Sequence, residues 1–116
     1  MIDKVARVGL LYDIYGGLLT ARQQNVVELY YFDDWSLSEV AETVNVSRQA
    51  VYDNLRRAEE LLERYERELR VLAGKEETRN RVVAVRDAWS KAQPFVPEAV
   101  AAAVDSAMDE LQQQVE

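Results

Sequence analysis

The stretch from Ser36 to Leu55 constrains this chain more than any other. Ser36, with Glu39 three positions on, has the spacing of a capping box, in which side chains and backbone satisfy the orphan donors of a helix start. Leu37, Val40, Ala41 and Val44 follow at helical intervals and predict a helix of about two turns. Asn45 comes next, and asparagine tolerates the left-handed backbone a tight turn requires. Ser47 then has the place of a cap for a further helix beginning at Arg48. A helix-turn-helix needs a small residue where its two helices cross, which Ala41 supplies. It also needs apolar locks, which Val40, Val44, Val46, Val51 and Leu55 supply. The stretch therefore predicts a helix-turn-helix.

Around it the apolar residues recur at intervals of three and four with no sustained alternation, so the fold class is all-α. A first helix is expected over about 2–15, with Val5, Val8, Tyr12 and Tyr15 on one stripe and Gly16-Gly17 as a left-handed stop. A second opens with a Thr20 and Gln23 capping box and carries Val26, Val27, Leu29, Tyr30 and Phe32 as far as Asp33-Asp34, with Trp35 as a core plug. The helix from Arg48 meets no breaker before Ala73-Gly74. Val51, Leu55, Ala58, Leu62, Tyr65, Leu69 and Leu72 along it alternate spacings of four and three, a heptad seam. A fifth helix is expected over about 75–92, with Val82, Val85 and Trp89 on its apolar side. Pro94 and Pro97 end it, and Pro97 suits the first turn of a sixth helix bearing Val100, Val104, Met108, Leu111 and Val115 on one face. Neither a repeat nor a low-complexity linker interrupts the chain. The expectation is a helix-turn-helix domain over 1–74, with 75–116 as a C-terminal helical extension of the same domain. The seam either packs within the chain or meets a second copy; a homodimer is expected, through Leu62, Tyr65, Leu69 and Leu72 or through the face from Val100 to Val115.

Composition narrows the chemistry. With 116 residues, 48% of them hydrophobic, the chain has enough apolar side chains for a core without a metal or crosslink. It has neither cysteine nor histidine, which removes thiolate and imidazole chemistry and nearly all zinc sites. The acidic pairs Asp33-Asp34, Glu59-Glu60 and Glu76-Glu77 have no convergent partner in the sequence and read as solvated surface. No enzyme activity, cofactor or metal is expected. Met1-Ile2-Asp3-Lys4 lacks the layout of a signal peptide, and no apolar run approaches the roughly 20 residues that span a bilayer, so a cytoplasmic location without membrane contact is expected.

The net charge of −7 argues against general coating of DNA. Its distribution is uneven. Residues 20–46 hold one arginine against five acids, 47–74 balance six arginines with six acids, 75–92 are basic by two charges, and 93–116 carry five acids and no base. Phosphate contacts are therefore to be sought at Arg48, Arg56 and Arg57, or at Lys75, Arg79, Arg81, Arg86 and Lys91. In a DNA-reading helix-turn-helix the exposed start of the second helix enters the major groove, here Ser47, Arg48, Gln49, Tyr52, Asp53, Arg56 and Arg57. Arg48 suits guanine, Gln49 adenine, and Arg56 with Arg57 the backbone; Asp53 can accept from cytosine but repels phosphate. The alternative is that these are solvated residues, with Arg56 and Arg57 paired to Glu60 and nearby acids.

From Leu18 to Glu68 the chain resembles the YlxM family of small bacterial helix-turn-helix proteins. The resemblance is carried above all by Tyr30 to Leu37 and by Asn45 to Leu55. That helix-turn-helix is similar to the promoter-reading C-terminal domain of sigma factors. The resemblance implies a cytoplasmic protein encoded beside signal recognition particle genes, with an accessory or regulatory role in that pathway. Tyr52-Asp53-Asn54 stands where sigma-factor domains place more basic residues, which disfavours promoter reading and leaves open the particle's RNA, read by shape, stacking and phosphate contact. The implied partners are nucleic acid, either DNA or the particle's RNA, and the particle's proteins. A dimeric DNA-binding regulator and a protein-interaction scaffold with an architectural helix-turn-helix stand as alternatives.

Overall fold

In the computed structural model, which describes residues 3–116, the first helix, α1, spans Lys4–Tyr15 and is capped by the Asp3 carboxylate, which accepts from the Ala6 amide at 2.9 Å. The expected start at Ile2 lies outside the described residues. The buried stripe of α1 is Val8, Leu11 and Tyr15, continued by Leu19. Val5, expected on that stripe, is 52% exposed. Steps of three and then four from Val8 lead to Leu11 and Tyr15, leaving Tyr12 at the margin, edge-on to Phe32 with ring centroids 5.3 Å apart.

Gly16 and Gly17 do not form a left-handed stop. Gly16 keeps right-handed angles, φ −55 and ψ −33, and the chain tightens into a 3-10 turn over Gly16–Leu18. What requires glycine at 16 is room, because a Cβ there would lie 2.9 Å from the Tyr12 ring, whereas one at Gly17 would meet nothing within 4 Å. Gly16→Ala is expected to cost about 1–3 kcal/mol by overpacking, read as a lower urea midpoint at unchanged slope; Gly17→Ala should leave the midpoint unchanged or slightly raised.

The Thr20 and Gln23 capping box forms as the sequence indicates, with bonds of 3.1 and 2.9 Å, and starts α2, Ala21–Val27. The helix then widens into a π turn over Glu28–Phe32 and stops where Asp34 turns left-handed at φ 59. There the Asp33 amide donates to the Glu28 carbonyl at 2.9 Å, and the Trp35 amide reaches back six positions to the Leu29 carbonyl at 3.0 Å. The second box, Ser36 with Glu39, starts α3, Leu37–Val44. Asn45 is left-handed at φ 59 and ψ 51, the Val46 amide donates to the Ala41 carbonyl at 3.1 Å, and Ser47 caps α4, Arg48–Leu69, through the Ala50 amide at 3.0 Å. Val40 and Val51 are completely buried, with Ala41 buried at the crossing. They join Leu11, Val26, Val27, Leu55, Ala58 and Leu62 in one core. The protein is thus an all-α helix-turn-helix bundle, with no strand among the described residues.

The expected continuation of α4 to Ala73-Gly74 does not occur. Arg70 adopts φ 53 and ψ 34 and its amide closes on the Glu66 carbonyl at 2.9 Å. The next helix, α5, spans Val71–Ala92 and carries Gly74 near its start, so no helix begins at 75. The cause lies 51 residues away. The Tyr15 hydroxyl donates to the Glu66 carboxylate at 2.7 Å, the Val71 amide donates to Tyr15 Oη at 3.2 Å, and the Leu72 amide donates to Glu66 Oε1 at 3.0 Å. Two side chains from elsewhere thereby satisfy orphan amides of α5, the task an ordinary cap performs. Burial and the Glu66 carboxylate push the Tyr15 phenol above its usual range. The heptad seam is correspondingly cut short. Val51, Leu55, Ala58 and Leu62 are buried, whereas Leu69 is 58% exposed and Glu66 takes the buried position beyond Leu62. Leu62 and Leu72 are covered by the chain's own helices, so neither is free to meet a second copy.

Residues up to Leu72 form one compact unit and Ala73–Glu116 a second. In the second, α5 is followed by a 3-10 turn over Gln93–Phe95 and by α6, Glu98–Val115; Pro97 stands just before the first turn of α6, not within it. Val82, Ala101, Met108 and Val115 are buried, but Val85, Val100 and Leu111 are 53%, 50% and 44% exposed, so the apolar faces are narrower than expected. Polar bonds complete the pairing: Arg86 to Asp109 at 2.6 Å, the Trp89 indole to Asp105 at 2.8 Å, and Arg79 to the Val115 carbonyl at 2.9 Å. Arg79 and Arg86, candidates for phosphate contact, are therefore engaged by α6, and Lys91 by Asp87 at 3.4 Å.

Candidate nucleic-acid interface

The helix-turn-helix presents the start of α4 outward, and the seven expected site residues sort into distinct roles there. Ser47 is consumed as the cap. Arg48, Gln49 and Tyr52 line an open groove of about 550 Å³ together with Leu37 from α3. Arg48 makes no hydrogen bond or ion pair with another described residue, and Tyr52 is 47% exposed. The Gln49 amide donates to the Asp53 carboxylate at 3.1 Å, so the awkward acid is held along the helix instead of facing the groove unpaired. Arg56 pairs with Glu60 at 3.3 Å, both exposed, an interaction worth little against solvent. Arg57 has no such partner among the described residues. At 100° per residue it lies about 140° around the helix from Tyr52, so the structure does not bring it to the Arg48 groove. It lines a smaller hollow with Asp53, Arg56 and Glu60.

Beside this face is a pocket of about 230 Å³ that spacing alone does not reveal, lined by Lys4, Tyr30, Tyr31, Leu37, Tyr52, Leu55, Arg56 and Glu59. Lys4 pairs with Glu59 at 3.3 Å, the Tyr31 hydroxyl donates to the same carboxylate, and Tyr30 stands edge-on to Tyr31. Both tyrosines are half-buried and pack against the core as well as lining this pocket. The available signal was adjacency, since neighbouring residues of a helix point about 100° apart and Tyr30, Tyr31 and Phe32 cannot all face one core.

The remaining electrostatics belong to scaffolding. Arg7 grips Glu63 through two bonds of 3.0 Å and holds that carboxyl below the usual range, while burial and a hydrogen bond to Glu28 push the Tyr12 phenol up to about 12. Among the described residues no cluster of three acids fit for a metal ion occurs, and no helix is long and apolar enough to cross a membrane.

The family described as "Putative helix-turn-helix protein, YlxM / p13 like" matches residues 2–97. The chain belongs to this family, UPF0122. A UPF0122 protein of Geobacillus kaustophilus is 45% identical over 111 residues, covering 96% of this chain and 99% of its own. A UPF0122 protein of Shouchella clausii is 47% identical over 93 residues, 80% of this chain and 85% of its own. One of Halalkalibacterium halodurans reaches 53% over 73 residues, 63% of this chain and 67% of its own. The UPF0122 match stops just before α6, so it spans the helix-turn-helix and α5.

Proposed function

We propose that this chain is a cytoplasmic, non-enzymatic nucleic-acid-binding protein, an accessory of the signal recognition particle pathway that contacts the particle's RNA with Arg48, Gln49 and Tyr52. The observation carrying this reading is the uncommitted Arg48 guanidinium beside the exposed Tyr52 ring on an open groove at the start of a firmly capped helix. A free guanidinium suits phosphate or a base edge, and an exposed phenol suits an unstacked base. A long duplex backbone is served less well, because Asp53, Glu59 and Glu60 lie close behind the groove and leave the basic patch narrow. The pathway assignment rests on the family resemblance. A homodimer remains the working assembly, seated on the exposed Val100 and Leu111 of α6 instead of on Leu62 and Leu72. A monomer mass by light scattering at micromolar concentration would overturn that assembly.

The test is fluorescence anisotropy against labelled signal recognition particle RNA and random duplex DNA over a range of salt. Salt-sensitive binding to the RNA alone is expected. Arg48→Ala should weaken it about tenfold and reduce the salt slope by about 1. Equal binding to random duplex would favour a DNA-binding regulator, and binding to neither would make the helix-turn-helix architectural.

A further inference from the structure

The charges of α4 cancel along the sequence but not around the helix. Glu59 holds Lys4 and Tyr31, Glu63 grips Arg7, and Glu66 is buried beneath Tyr15 and Leu72. These acids are spent on the side facing α1. On another side Arg57, Arg64 and Arg67 stay exposed, and Arg57 and Arg64 make no hydrogen bond or ion pair with any described residue. With Gln23, Glu60 and Leu61 they line an open groove of about 490 Å³ between the start of α2 and the middle of α4.

We propose that this groove docks an acidic amphipathic helix of a partner protein, setting an apolar side chain on Leu61 and carboxylates on Arg57, Arg64 and Arg67. Half-buried Leu61 supplies an apolar floor between the aliphatic stems of the arginines. Guanidinium forks match carboxylates bidentately, and Arg57 and Arg64, seven positions apart, lie about 10 Å apart along the axis. That is two turns of a partner helix, so acids at the same interval meet both, the usual register of a helix lying in a groove. Nucleic acid fits less well. Glu60 places a negative charge in the lining, which discrete carboxylates can avoid and a continuous phosphate backbone cannot, and no aromatic side chain lines the groove to stack a base. The groove lies on a different side of α4 from Arg48 and Tyr52, so it can be filled while that face is occupied.

The probe is a fluorescein-labelled peptide of about 16 residues, roughly 24 Å as a helix, with leucines at helical spacing and glutamates between them. Titrated with the full chain, it should bind saturably. Arg64→Glu should weaken it at least about tenfold, while Arg48→Ala leaves it unchanged. Arg57→Gln, which removes one exposed charge and adds none, should give a smaller loss in the same direction and keeps the test standing if Arg64→Glu alters the helical circular dichroism. No saturable binding, or binding indifferent to both variants, would overturn the proposal. So would equal affinity for a peptide with glutamine in place of leucine, which is charge attraction without a groove. Loss of signal recognition particle RNA binding in Arg64→Glu to the same degree as loss of peptide would reassign the groove to nucleic acid.

Discussion

Glu66→Ala is expected to cost about 3 kcal/mol and to lower the melting temperature by roughly 10–20 °C, although the residue removed is charged. The carboxylate is 8% exposed and accepts from both the Tyr15 hydroxyl and the Leu72 amide. Truncation leaves two buried donors without an acceptor and loosens the start of α5. Glu66→Gln retains an oxygen in place and should lose less than half as much. Tyr15→Phe removes the hydroxyl that bridges to the Val71 amide, and in a double-mutant cycle with Glu66→Ala the two losses should be coupled by about 1–2 kcal/mol. Urea melts followed by circular dichroism read the unsubstituted chain and all four variants. A loss below about 1 kcal/mol for Glu66→Ala would mean that the α4 to α5 junction is held by other contacts.

Leu62→Ala is expected to cost about 3–5 kcal/mol, because Leu62 is completely buried among α1, α2 and α4 and a cavity there has little scope to collapse. The concentration dependence of its midpoint should match that of the unsubstituted chain. The contrasting substitution is Leu69→Ala, on the same sequence seam but 58% exposed, for which the change should stay within about 0.5 kcal/mol. A concentration dependence that is present in the unsubstituted chain and lost in Leu62→Ala would place Leu62 between two copies.

These two residues also mark where the sequence was legible. The helix-turn-helix could be read because its determinants are local. Thr20, Ser36 and Ser47 meet amides three positions on, and Asn45 supplies its own left-handed turn. The end of α4 could not be read, because Arg70 is no breaker. The stop is enforced by Tyr15, far off in the chain, and by a glutamate that ordinary burial rules place outside. The interface divides in the same way. Arg48, Gln49 and Tyr52 come together as their spacing indicates, whereas Arg57 turns away to join Arg64 and Arg67. Those last two sit in a stretch whose charges cancel along the sequence, so spacing alone assigns them no role. Only the side chains of α1 reveal which acids of α4 are already taken.

The π turn at Glu28–Phe32 has a consequence for the length of the chain there. A wide turn is an α-helix carrying one surplus residue, and each residue advances the phase by about 100°. It works as a phase shifter, setting Tyr30 and Tyr31 toward Lys4 and Glu59 while Val26 and Val27 stay in the core. A relative one residue shorter between Glu28 and Phe32 would rewind into regular helix and rotate the two rings away from that pocket. The number of residues in this half-buried segment is therefore constrained as well as their side chains.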